Sequence, residues 1–226
     1  MKIVIGIFFL MTIGVGHSYS QNIILGPHNV LIRTKKYADI IGTAYLYPSW
    51  ATGTLTEKNG NVYVNLMLKY DSYKDIVELN QDGQILEVSA VEYPKFTLTF
   101  VEPGTDKLIK HSFLSGFDIP GFSRINYFDL IYEGRLTLLK KYKTSFLEMS
   151  VANYGNSGEQ KSFQLDILYF LIEQGKFPKE LKLNKRSIIE AFPKKGASIE
   201  SFMKEKKMKG KTEADLIEII KFLDAN

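Results

Sequence analysis

The sequence predicts an α+β protein: a predominantly antiparallel β meander, barrel-like or folded as a sandwich, followed by a small C-terminal helical appendage. Three observations predict it. Runs of alternating apolar and polar residues recur at a spacing of about ten residues from Ala51 to Ile172, each bounded by turn formers. After Gly175 the alternation gives way to helical spacing with capping residues. The 226 residues include no Cys, so the core must hold the fold without disulfides.

The division expected is a signal peptide over residues 1–20, a β domain over 21–175, and a basic linker with helices over 176–226. Lys2 supplies a positive start, Ile3 to Val15 is mostly apolar, and Ser18 and Ser20 place small residues where a signal peptidase reads. That apolar run is shorter than the roughly 20 residues needed to span a bilayer as a helix, and no later stretch reaches that length. The expected location is therefore outside the cytoplasm, periplasmic or extracellular, with no transmembrane segment after signal removal. Removing Lys2 with the signal lowers the formal charge from +4 to +3, which implies no obligate anionic partner.

Gln21 to Ile41 shows no sustained period. In the aromatic segment from Gly42 to Trp50, Pro48 lacks a ladder donor, which limits the segment to an edge. Ala51 to Thr56 reads as a strand, turned at Glu57 to Gly60. In the next strand Val62, Val64, Leu66, Leu68 and Tyr70 share one face. A turn at Asp71 to Lys74 precedes Asp75 to Leu79, and Gln81 to Gly83 turns into Gln84 to Ser89. Phe96 to Val101 pairs through Pro103 to Asp106 with Leu108 to Leu114. The segment Ser115 to Ser123, SGFDIPGFS, breaks the rhythm. Asn126 to Tyr132 and Arg135 to Tyr142 form a hairpin through Glu133-Gly134, and an Asn153 to Gly158 loop leads to the last strand, Phe163 to Ile172. Eight or nine strands result. In the tail, Asn184 caps a helix carrying Ile188, Ile189 and Phe192, and Ser198 caps a second with Ile199, Phe202 and Met203. Thr212 and Asp215 resemble a capping box opening a third, whose Leu216, Ile219, Ile220 and Leu223 share a face.

The segments GTAYL, WATGTLTEKNG, LKYDSYKD, YEGRLTLLKK, SIIEAFPKK and KTEADLIEIIKFL resemble a family of exported, functionally uncharacterised proteins of Bacteroidetes-type bacteria. The resemblance covers most of the chain beyond the signal segment. It implies an exported β-rich body with C-terminal helices, and it brings no activity and no catalytic residues.

Specific chemistries find little support. His28 and His111 lack partners at zinc-ligand spacing, and there is neither a Gly-x-Ser-x-Gly elbow nor a phosphate-binding Gly-rich loop. No cofactor is expected. Asp71, Asp75 and Glu78 near one turn, with Asp118 and Asp129 near the glycine-containing loop, offer the paired acids that glycoside hydrolysis needs. Solvated turn carboxylates are the plainer account. The aromatic residues Tyr45, Tyr47, Trp50 and Tyr73 offer a stacking surface, against the ordinary filling of pleated faces by rings. Phe117 and Phe122 of SGFDIPGFS are costly to expose without use, or else fold back as a plug. Residues 176–211 carry twelve Lys and Arg against four Glu, an excess of +8, which suits an anionic polymer or membrane surface or simply solvated helix faces.

The expected function is binding or structural interaction with an envelope component, whether protein, glycan or lipid, rather than catalysis. Nucleic acid is not an expected partner. Candidate ligand contacts are Tyr47, Trp50, Phe117, Asp118 and Phe122. The alternatives are a carboxylate-dependent hydrolase acting on an envelope or extracellular polymer, and a small outer-membrane β-barrel.

Overall fold

One antiparallel sheet of eleven strands organises the protein, in a computed structural model that describes residues 30–31, 36–38, 40–102, 104–153 and 156–226. Residues 1–20, where a signal peptide is expected, and His28 lie outside the described residues. The strands are β1 (Val30–Leu31), β2 (Ala51–Thr56), β3 (Val62–Asp71), β4 (Ile76–Gln81), β5 (Gln84–Val88), β6 (Lys95–Val101), β7 (Leu108–Leu114), β8 (Phe128–Glu133), β9 (Leu136–Asn153), β10 (Asn156–Glu173) and β11 (Lys179–Leu181). The helices are α1 (Lys185–Ala191), α2 (Gly196–Glu205) and α3 (Glu213–Ala225), with a 3-10 turn at Pro193–Lys195. The α+β class with a small helical appendage is what the chain adopts.

The meander runs in two directions from β2. Strands β3, β4 and β5 spread to one side, and the chain then crosses back to lay β6 along the other edge of β2, giving the order β1-β5-β4-β3-β2-β6-β7-β8-β9-β10-β11. No described pairing joins β1 to β11, so the sheet is open, neither a sandwich nor a closed barrel. It curls nonetheless: β8 pairs with β9 only as far as Lys140, and beyond it Thr144 N–H donates to Ser72 O of the β3–β4 turn (3.2 Å). Gly53 makes the curl possible, since a Cβ there would lie 2.9 Å from Leu68 Cδ1 and well inside contact with Thr97 O.

Alternation decides which core each residue joins. Inside the curl, Leu55, Leu68, Tyr70, Phe96, Leu98 and Phe113 are fully buried together. On β9 and β10, Leu138, Tyr169 and Leu171 meet the helices, through Ile188, Ile199, Leu216, Ile219 and Ile220. Their neighbours Leu139 and Phe170 point to the opposite face, where Ile119 of the 115–123 loop and Phe128 cover them. Each fully buried side chain of this size contributes about 1.5–3 kcal/mol.

Several boundaries differ from the sequence reading. Strands β9 and β10 each run 18 residues in unbroken register, from Leu136↔Glu173 to Asn153↔Asn156, where a loop over Asn153 to Gly158 was expected. Their outer halves carry exposed polar residues such as Lys143, Glu148, Gln160 and Gln164, which hide the strand signal. Asn184 caps α1 as expected, its Oδ1 accepting from Ser187 N–H at 2.8 Å. Helix α2 begins at Gly196 without a side-chain cap, because the 3-10 turn feeds directly into it and leaves Ser198 inside the helix. Thr212 caps α3 through Asp215 N–H (3.1 Å), while Asp215 Oδ2 takes the N–H groups of Gly210 and Lys211 rather than that of Thr212.

Candidate functional site

Of the carboxylates that made a hydrolase conceivable, Asp71, Asp75, Glu78 and Asp129 are engaged in holding the sheet together, and Asp118 is not. Asp71 accepts from Tyr37 OH (2.5 Å) and from the N–H groups of Tyr73 (3.1 Å) and Lys74 (2.9 Å), so it fixes the β3–β4 turn. Glu78 pairs with Lys36 at 2.9 Å and accepts from Tyr45 OH. Asp75, at φ +60°, accepts from Tyr70 OH, Asn126 Nδ2 and Tyr127 N–H and pairs with Lys141 at 2.7 Å. Lys141 is only 3% exposed, and burial pushes its ammonium below the ordinary lysine range. Its remaining donors reach Tyr127 O (2.9 Å) and Tyr70 OH (3.2 Å), so the buried charge is both paired and hydrogen-bonded. Among the described residues no group of three or more His, Asp or Glu is placed to hold a metal ion.

His111 and Asp129 form a second buried pair. Nδ1 lies 2.6 Å from Asp129 Oδ2, and Nε2 lies 3.1 Å from Tyr47 OH. The set is satisfied when Nδ1–H donates to Asp129 and Nε2 accepts from Tyr47, with Asp129 Oδ1 also taking Ser112 N–H at 3.0 Å. Burial, then the charge of Asp129, raises the Tyr47 phenol above its usual range, which suits a neutral hydrogen-bond donor and not a nucleophile. The relay pins the 44–50 segment to the sheet. Tyr47 packs on Phe100 with ring centroids 3.7 Å apart, and Trp50 lies beside the Lys69 ammonium, 5.7 Å from its ring. Both candidate aromatics are half-buried parts of that packing.

The loop Ser115 to Ser123 behaves differently. Gly116 (φ +101°) and Gly121 (φ +84°) take conformations open to glycine, and Gly116 N–H donates to Arg124 O (2.7 Å) to close the loop. Ile119 is driven into the sheet face, with Phe122 stacked edge-on to Phe128 and Phe170 at 5.4 and 5.6 Å. Phe117 is half-buried and Asp118 exposed, and both line a cleft of about 460 Å³. Its opposite wall is the β10–β11 turn: Gly175, Lys176, Phe177 and Pro178. Phe177 is 89% exposed.

The same turn has a second cleft on its other side, about 320 Å³, floored by Ala191, Phe192 and Pro193 and rimmed by lysines. Lys176 lines both clefts, so a single turn separates them. The structure thus brings Phe117 and Asp118 to the start of the basic tail, places Phe122 beneath them, and leaves Tyr47 and Trp50 outside the cleft. Phe177 escaped the sequence reading because GKFPKE reads as an ordinary turn. Its neighbours Gly175 and Pro178 are the signal that could have found it, since they hold the ring on a reversal where it has little chance of burial.

Compared with known proteins, the chain matches no family model, and no curated protein or solved structure shows significant similarity to it. Among the described residues no helix is long and apolar enough to cross a membrane.

Proposed function

We propose that this is an exported binding or interaction protein of the cell envelope, whose ligand contacts gather around the β10–β11 turn. The observation that carries the reading is Phe177, 89% exposed at the rim of a cleft walled by the 115–123 loop. A ring left in water at the edge of a concave surface has unspent apolar area, which a ligand can cover. Asp118 and Lys176 supply polar groups of both signs beside it to fix orientation. The signal peptide expected at residues 1–20 supports an envelope component as the ligand.

The test is retention of separated envelope protein, lipid and polysaccharide fractions by the immobilised protein and by its Phe177→Ser variant. The parent is expected to hold one fraction that the variant releases, with both proteins unfolding at the same denaturant midpoint. Equal retention by the two would refute this site, and no retention by either would refute the binding role.

A further inference from the structure

We infer that the ligand is an anionic polysaccharide, its sugar ring on Phe177 and its carboxylate or sulfate groups among the lysines across the turn; this rests on the binding reading above. The second cleft carries Lys176, Lys179, Lys194 and Lys195 against one acid, Glu173, a formal excess of +3. Asp118 in the first cleft offsets one charge, so the two clefts together carry four Lys against two acids, an excess of +2. Glu173 is paired with Lys176 (2.6 Å), and Glu190 on α1 is taken by Arg186 (2.7 Å). Asp224, on the adjoining surface, accepts from Leu136 N–H (2.6 Å) and Tyr132 OH (2.9 Å). Among the described residues neither Lys194 nor Lys195 has an acidic partner within ion-pair distance. Lys179 is held in place by donating to Ala191 O at 2.7 Å, which fixes one ammonium at the cleft.

Geometry selects the ligand class. A single exposed ring at this turn does not make a membrane-inserting face, and four lysines beside it favour a charged, hydrated ligand. Lys176 lines both clefts and its chain neighbour Phe177 lines the first, so a ring and a charge adjoin along the turn. A chain of rings bearing one anionic group per unit can therefore stack in the first cleft and place its charges in the second. The ring and the shared Lys176 come from the β10–β11 turn, and the remaining charges come from Lys179 of β11 and from Lys194 and Lys195 of the 3-10 turn.

The purified protein is titrated calorimetrically with polygalacturonate, dextran sulfate, neutral dextran and polyglutamate, at low and at physiological salt. The charged polysaccharides are expected to bind, and the neutral one not. Raising the salt should weaken binding strongly, because exposed charges are screened over about 8 Å at physiological ionic strength. Lys194→Gln combined with Lys195→Gln should lower affinity about fivefold or more, the scale of two exposed ion pairs. Phe177→Ala should lower affinity while leaving the salt dependence unchanged, and Lys58→Gln, remote from the turn, should do neither. If neutral dextran binds as well as the charged polymers and the lysine pair is indifferent, the anionic class is wrong while the binding site stands. Equal affinity for polyglutamate, unaffected by Phe177→Ala, overturns the sugar. Binding by no polymer at all overturns the inference outright.

Discussion

Replacing Lys141 with Met tests whether the Asp75–Lys141 contact is what closes the curled sheet. Met retains most of the stem volume, so packing changes little. What is lost is a set of three contacts: to Asp75 Oδ1 at 2.7 Å, Tyr127 O at 2.9 Å and Tyr70 OH at 3.2 Å. Removing one member of a buried ion pair costs about 3–5 kcal/mol, because the other charge stays buried without compensation. Asp75 would keep Tyr70 OH, Asn126 Nδ2 and Tyr127 N–H as donors, which places the expected loss at the lower end, about 3 kcal/mol. Asp75→Asn should cost a similar amount, since Asn tolerates the +60° φ and the ammonium loses its counter-charge while keeping Tyr127 O and Tyr70 OH. The double variant removes both charges together, so it should lose about 3 kcal/mol and not the sum of the two, a coupling of a few kcal/mol. Urea unfolding at neutral pH, with the slope monitored for two-state behaviour, measures all four corners of the cycle. A loss under about 1 kcal/mol for Lys141→Met, or additivity within about 0.5 kcal/mol, would refute the reasoning.

Two further outcomes are expected. Gly53→Ala should lower stability by about 2–3 kcal/mol, because its Cβ must displace the Thr97 backbone of β6 or the Leu68 side chain; thermal or urea unfolding checks it, and a neutral effect would mean that the strands part without cost. Stability should fall as pH rises above about 10. Burial raises Tyr70, Tyr127 and Tyr142 above the ordinary phenol range and pushes Tyr93 up to about 12. Between about pH 10 and 12 the unfolded chain releases these protons while the folded chain keeps them, so the folded state binds more and stability declines. Lys141 and Lys69, whose pKa values are lowered by burial, work in the opposite direction but are outnumbered by the tyrosines. Urea midpoints across that range, with phenolate absorbance followed in parallel, decide the matter; a constant midpoint would contradict the tyrosine burial.

The candidate site was half legible. SGFDIPGFS stands out as a break in alternation containing two Phe, and the structure puts Phe117 and Asp118 on a cleft wall. The basic tail is visible as a charge excess, but its lysines converge only because α1 and the 3-10 turn fold back beside β11. Phe177 has no period to announce it: only the flanking Gly175 and Pro178 mark the reversal that holds it out, and its exposure is a property of neighbours. Lys141 was equally hidden: KKYK looks like a solvated run until its parity with the buried Leu139 is set against Tyr70 and Asp75, with the five strands β4 to β8 between them in the chain.

What the sequence determined by itself was the local architecture. The β3 face of Leu66, Leu68 and Tyr70, most of the turns between strands, and the caps at Asn184 and Thr212 follow from periods and side-chain chemistry acting over a few residues. Val62 and Val64, expected on the same face, leave it, because the positive φ of Asn65 and the register shift against β2 turn Tyr63 to the core in their place. The tertiary structure alone decided that β6 returns to pair with β2, that the β3–β4 turn meets β9 at Thr144, and that loop and tail share a cleft. Alternation assigns a residue to one face of a strand, but it does not identify the strand alongside. Pairing depends on contacts between distant segments, on the space left by Gly53, and on buried polar groups finding partners, and none of these is encoded in a local pattern.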